Sequence, residues 1–357
     1  MPHELLLSGP RKIHLSPFSD EPLRDDEARA AAIVSGISHG TELTLWRGVS
    51  PFHGLQFDRE LRAFVEVAEE KSYPARLGYE WVGRVREVGR AVRQVSPGEL
   101  VHLPRPHAET QTFTIDEERG LPFHLPPELP PERATLLQST TIAVQAVQDA
   151  NLRVGDLVAI FGLGIFGLLA VQLARLSGAS WIAAVDPIPE RRALAEKLGA
   201  DRTFDPAATD VGLDLKQSTG GVDVAIEFSG SYAALHQALR SARVAGTVVA
   251  AGFYAGDVGD QLHLGREVHH NRLTLLASMG GWDCPPRDPR WPRARARALA
   301  AELLANGRVR VDELLTHRIE FSRAAEAYEL INAHPEQVLR TVLVYDQGWD
   351  DESGALP

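Results

Sequence analysis

Gly162-Leu163-Gly164-Ile165-Phe166-Gly167 reads as G-x-G-x-x-G, and Asp186 stands 186 − 167 = 19 residues past its last glycine. The first glycine permits a tight turn and the second lets a pyrophosphate approach the backbone. The third lets a helix pack closely on a strand, while free N–H groups at the helix start favour an anion. A carboxylate at that distance accepts hydrogen bonds from both hydroxyls of a ribose and repels a 2′-phosphate. The pattern therefore predicts a dinucleotide site, with NAD favoured over NADP. Arg191 and Arg192 are the counter-signal, since either could meet a phosphate; in the first turns of a helix they more often face solvent. Leu163, Ile165, Phe166, Arg191, Ser229, Gly252 and Phe253 complete the candidate cofactor set.

Such residues work only if strands and helices present them together. "DLVAIFG" is a continuous apolar run, as in a strand covered on both faces, and "IFGLLAVQLARLSGA" has helical spacing that ends at a glycine. "SWIAAVD", "PERRALAEKLGA", "DRTFD", "VDVAIEFSG", "SYAALHQALRSAR", "GTVVAAGF" and "RLTLLASMG" continue the alternation of strand and helix. Sustained over roughly 125 residues, it predicts a doubly wound parallel sheet. The first ~140 residues instead carry short strand-like runs between Pro and Gly turns. "LPFHLPPELPPERATLL" reads as a surface crossing into a helix that begins near Pro131. "RWPRARARALAAELLANGR" reads as a basic helix with a solvated face.

The 357 residues suggest two domains, and 37 basic against 48 acidic residues leave a net charge of −11. That balance argues against nucleic acid or an anionic membrane as partner. The apolar run in "MPHELLLSGPRK" is too short for a signal peptide, and a soluble cytoplasmic enzyme with a small-molecule substrate is expected. A single cysteine, Cys284, precludes intrachain disulfides and any cysteine-rich zinc site. The apolar edge strand read in "RLTLLASMG" predicts a homodimer or homotetramer.

Four stretches in the right order resemble the medium-chain dehydrogenase/reductase superfamily, the relatives of zinc alcohol dehydrogenase. "GISHGTELTLWRG" is similar to GxCGTDxxxxxG, and "LGYEWVGRVREVGRAV" to GHExxGxVxxVGxxV. "NLRVGDLVAIFGLGIFG" resembles the strand entering the cofactor loop, and "LLTHRIEFSRAAEAYELI" the closing segment. "ISHGTE" also resembles a branch that includes the bacteriochlorophyllide dehydrogenases. The resemblance implies a Rossmann domain, residues 143–280, inserted in a GroES-like β-rich catalytic domain made of 1–142 and 281–357. It also implies an active site in the cleft between them.

The family's catalytic zinc takes a cysteine, the histidine of GHE and a later Glu or Cys. Depending on the alignment, either His39 or Ser38 falls at the cysteine. Tyr79 replaces the histidine beside a retained Glu80, and Gln138 falls at the third ligand. His39 and Glu80 could supply two ligands, whereas tyrosine and glutamine are poor zinc donors. His102 or His107 could be recruited, but lone histidines in strands and turns are more often structural. A zinc-free site is expected. The oxyanion formed during hydride transfer must then meet a hydrogen-bond donor. By the family alignment Tyr79, His39 and Thr41 lie near the nicotinamide; His39 could titrate near neutrality, with Glu42 or Glu80 fixing its tautomer. The expected activity is zinc-independent, NAD-dependent interconversion of a secondary alcohol and a ketone. The alternatives are an enoyl- or quinone-type double-bond reductase and an inactive nucleotide-binding protein.

Overall fold

Two sheets carry the molecule. In the computed structural model, which describes residues 1–52, 54–67, 73–116, 120–255, 258, 261–280 and 284–346, one six-stranded sheet is parallel throughout. Its order is Arg202–Phe204, Trp181–Val185, Leu157–Phe161, Val222–Glu227, Ala242–Ala250, Thr274–Ala277. That is 3-2-1-4-5-6 in chain order, the doubly wound arrangement expected from the alternating pattern. Leu157–Phe161 is central and almost wholly buried because helices cover both faces. Helix Ile165–Leu176 follows, and helices Pro189–Leu198, Val211–Thr219 and Tyr232–Ser241 complete the cover.

The second sheet has seven strands and uses both ends of the chain. Strand Glu27–Gly36 lies between Trp81–Val88 and Arg340–Val344, so residues some 300 positions apart share one ladder. Beside it a small sheet joins His3–Leu7, Ile13–Pro17 and Ala75–Arg76, and a hairpin pairs Leu55–Asp58 with Ala63–Glu66. The fold class read from the sequence is the observed one.

The division at 142/143 falls inside one continuous helix, Leu137–Asp149, which packs on both Ile165–Leu176 and Arg293–Ala305. One core cluster accordingly runs from Val34 and Val82 of the antiparallel sheet through this helix to Ile160 and Ile182 of the parallel one. The proline-rich crossing forms only a four-residue turn of helix, Pro131–Ala134, before it. The basic helix Arg293–Ala305 is not simply solvated: Arg297 is 2% exposed. Its guanidinium donates to Gln138 Oε1 at 3.1 Å and to Gly120 O at 3.3 Å. Burial lowers its pKa to about 10, helped by Arg293. No helix among the described residues is long and apolar enough to cross a membrane.

Candidate active site

The glycine loop occupies the turn between Leu157–Phe161 and the helix that follows. Gly162 has φ +84°, open to glycine at little cost, and a Cβ there would meet Ser229 N at 2.6 Å. A Cβ on Gly167 would lie 1.9 Å from Gly162 O, so the helix can approach its strand only because that position is bare. Gly164 has nothing within 4 Å of a built Cβ, which leaves open space above the loop. Asp186, 4% exposed, ends strand Trp181–Val185; its carboxylate accepts from Leu163 N at 2.7 Å and Ile188 N at 2.9 Å. The residues fit a dinucleotide: an open cradle, a helix start, and a carboxylate at the second strand end.

The two arginines are already engaged. Arg192 donates to Asp186 O and Pro187 O and lies 3.3 Å from Asp205. Arg191 donates to Pro335 O at 2.7 Å, with its Nη1 3.9 Å from Asp186 Oδ2.

Parallel strands 1 and 4, Leu157–Phe161 and Val222–Glu227, are neighbours in the sheet at the point where its winding reverses, and ligands of such sheets bind beyond the C-terminal ends there. Glu227 ends the second of these strands, and sequence reasoning missed it. It accepts from Ser229 N and Tyr254 OH, each at 2.5 Å, from Gly230 N at 3.2 Å, and from the Ser229 hydroxyl. Burial raises its pKa, while the hydrogen bonds from Ser229 and Tyr254 oppose the shift. Ser229 gives its hydroxyl to Glu227 while its backbone lies against Gly162 of the cofactor loop. A Cβ on Gly252 would meet Glu227 Oε2 at 2.7 Å, and the Phe253 ring meets Phe52 edge-on at 5.6 Å. The only early signal was a charge closing the apolar run of "VDVAIE".

In the antiparallel half, Ser38 rather than His39 faces Tyr79: Ser38 Oγ and Tyr79 OH lie 2.5 Å apart. Ser38 is 5% exposed and Tyr79 is half-buried. Burial pushes the Tyr79 pKa up to about 12, against the lowering effect of the Ser38 hydrogen bond, so the side chain is a phenol at neutral pH. Thr41 opens helix Thr41–Arg47 and is half-buried.

Glu42 does not orient His39. It accepts from Ser38 N at 2.7 Å, His107 Nε2 at 3.0 Å and Tyr328 OH at 2.5 Å, and is 2% exposed. Glu80 is likewise removed from the expected catalytic set. Fully buried, it accepts from Ser139 N and Oγ at 2.7 and 2.6 Å, from Gln138 N at 3.0 Å, and from His102 Nε2 at 2.9 Å. Arg340 Nη2 approaches it to 3.8 Å while bonding Ser139 Oγ and, through Nη1, Ile37 O. A carboxylate saturated in this way ties the antiparallel sheet to the start of helix Leu137–Asp149 and has no face left for substrate.

His39 is corrected in a different sense. Burial, then the nearby charges of Arg340, Arg191, His317 and Arg47, lower its pKa from 6.5 to about 3. It is neutral at working pH and cannot be the acid expected from a free imidazole. Its Nε2 is buried without a hydrogen-bond partner. An orphaned imidazole nitrogen among four basic side chains suits an anionic guest.

The positions that the resemblance gives to zinc ligands do not fit that ion. Two carry hydroxyls bonded to one another, Ser38 and Tyr79, and the third carries an amide turned to Arg297. Among the described residues no group of three or more His, Cys, Asp or Glu converges on a point. The loops 49–72 and 254–270, from which variable pocket walls are expected, are described only in part: residues 53, 68–72, 256–257 and 259–260 lie outside the described residues.

The comparisons bear on the family and the fold. Residues 166–297 match the family model described as zinc-binding dehydrogenase. D-guloside 3-dehydrogenase of Escherichia coli (strain K12) is 32% identical over 345 residues, covering 94% of this chain and 98% of its own. (R,R)-butanediol dehydrogenase of Bacillus subtilis (strain 168) is 33% identical over 57% of this chain and 63% of its own. The crystal structure of 2R,3R-butanediol dehydrogenase from Bacillus subtilis shares the fold with TM-score 0.78 at 24% identity, covering 96% and 99% of the two chains. The fold and site define a two-domain dehydrogenase built around a nucleotide cradle, and the chain belongs to the medium-chain dehydrogenase/reductase superfamily. Within it the protein is an alcohol dehydrogenase/reductase.

Proposed function

We propose that this enzyme interconverts a secondary alcohol and its ketone with NAD and without zinc, and that Tyr79 donates the hydrogen bond to the reacting oxygen. The Ser38–Tyr79 hydroxyl pair, 2.5 Å apart where the family would place two metal ligands, carries the reading. The relatives' names (D-guloside 3-dehydrogenase, (R,R)-butanediol dehydrogenase, sorbitol dehydrogenase) share hydroxyls on carbons that neighbour other hydroxylated carbons. A polyol or glycoside is therefore the proposed substrate class.

Asp186 would take the adenosine ribose, and its charge disfavours a 2′-phosphate. The engagement of Arg192, which donates to Asp186 O and Pro187 O and lies 3.3 Å from Asp205, supports the same preference. The loop from Gly162 to Gly167 would cradle the pyrophosphate, and the orphaned Nε2 of His39 would lie toward it as a neutral donor. When bound, a nicotinamide supplies or accepts the hydride. The Tyr79 phenol, held protonated by burial, gives its proton to the carbonyl oxygen during reduction and recovers it from water.

The test is turnover of NAD with a polyol and glycoside panel, read as absorbance of the reduced cofactor. Tyr79→Phe should lose about 10²–10³ in kcat, the usual cost of one oxyanion donor, with NAD affinity nearly unchanged. EDTA should leave the parent rate unaltered, and elemental analysis should find no stoichiometric zinc. One zinc per chain, or a rate abolished by EDTA, would overturn the metal-free reading.

A further inference from the structure

Behind the hydroxyl pair lies a buried polar chain that no step above has used. Ser38 is tied twice to Glu42: its N–H donates to Oε1 at 2.7 Å, and its carbonyl accepts from Glu42 N at 3.2 Å. Glu42 Oε2 in turn receives His107 Nε2 and Tyr328 OH. His107 Nδ1 lies 2.7 Å from Ser35 Oγ, which is 2.8 Å from Tyr345 OH. One assignment of hydrogens satisfies every member. Tyr345 donates to Ser35, Ser35 to His107 Nδ1, and His107 Nε2–H, Tyr328 and Ser38 N–H to a Glu42 carboxylate. Ser35 and His107 are wholly buried, as is Tyr328.

The same imidazole also fixes the other half of the pair. A Cβ on Gly78 would meet three atoms of the His107 ring at 2.8–2.9 Å, and Gly78 has φ +108°. The ring therefore packs closely against the backbone that delivers Tyr79, while its Nε2 holds the carboxylate that pins Ser38.

We propose that Ser38 and Tyr79 act as one two-hydroxyl unit on the substrate oxygen, and that Glu42 and His107 are the positioning residues that hold them in register. This rests on the reading of Tyr79 as donor. In reduction the carbonyl carbon receives its hydride from reduced nicotinamide, and the Tyr79 O–H bond breaks as the new O–H bond forms on substrate. Ser38 Oγ then donates to the phenolate oxygen, and water returns the proton to Tyr79. Oxidation runs the same transfers backwards. The two hydroxyls do together what neither does alone: the half-buried Tyr79 meets the substrate oxygen, and the buried Ser38 stabilises the charge that Tyr79 takes on.

The experiment compares the parent, Tyr79→Phe, Ser38→Ala, Ser38→Thr and His107→Gln. Each is assayed with NAD and with (R,R)-butanediol, sorbitol, L-threonine and a methyl D-guloside as probes, and its NADH affinity and melting temperature are measured alongside. Ser38→Ala should lose about 10- to 100-fold in kcat, less than Tyr79→Phe because it acts through the Tyr79 oxygen, with KM and NADH affinity within about twofold. Ser38→Thr, which keeps the hydroxyl, should recover most of the rate. His107→Gln should lower kcat in the same way, and combining it with Ser38→Ala should add little, since residues acting as a unit are not additive. A normal rate in Ser38→Ala beside a slow Tyr79→Phe would overturn the two-hydroxyl unit and leave Tyr79 as donor. A normal rate in Tyr79→Phe, or no parent turnover of any probe, would overturn the donor reading and this inference with it. A loss in Ser38→Ala that threonine does not rescue would mark Ser38 as packing only and sink the proposal.

Discussion

His39 changes role between sequence and structure, and its environment makes a signed prediction. Burial and four nearby basic groups lower its pKa from 6.5 in the unfolded chain to about 3 in the folded one. Between those values the unfolded chain binds a proton that the folded chain refuses, so stability is fully present above about pH 6.5 and declines as pH falls toward 3. His39→Gln removes that term. Its urea midpoint should fall less than the parent's between pH 7.5 and pH 4.5, and an equal fall in both proteins would contradict the assignment. Glu80 and Glu42 teach a related lesson at the same scale. By sequence position each was a candidate to fix the tautomer of His39, and each instead accepts hydrogen bonds that hold the chain around the site.

At the level of elements, the glycine loop joins packing to binding. Helix Ile165–Leu176 leans on its strand at Gly167, where any side chain would enter the carbonyl of Gly162. Gly167→Ala should therefore push the helix start outward, weaken NAD by more than about tenfold and lower the melting temperature by about 5 °C or more. Fluorescence titration and calorimetry would check both; unchanged NAD affinity would mean the loop tolerates the shift. Helix Leu137–Asp149 plays the matching part between the sheets. Its first amides, at Gln138 and Ser139, bind Glu80, so the end of one half positions the start of the other.

For the whole molecule, the open edge of the parallel sheet is the feature that invites a second copy. Among the described residues strand Thr274–Ala277 is hydrogen-bonded on one side only, to Ala242–Ala250, and Leu275 and Met279 nearby are 38% and 54% exposed. An apolar edge with free backbone groups pairs readily across a two-fold axis. Sedimentation at micromolar concentration should give at least twice the 39.0 kDa chain mass, and Leu275→Lys should shift it toward the monomer. A monomeric parent would refute this assembly.

The cofactor half was legible in the sequence because its determinants are local. A strand, a turn and a helix within fifteen or so residues place Gly162, Gly164 and Gly167 relative to one another, and the second strand has only one end at which Asp186 can stand. The alternating pattern likewise predicted six strands and their winding. The catalytic half depends on contacts between distant residues. Whether Ser38 or His39 meets Tyr79 turns on how the loop after strand Glu27–Gly36 is held against a residue 41 positions away. His107 meets Glu42 across 65 positions, Tyr328 meets it across 286, and Arg297 reaches Gln138 across 159. Composition carries no trace of such pairs. They exist because burying a charged or polar group is costly until a partner is found, and only the folded chain determines which partner is within reach.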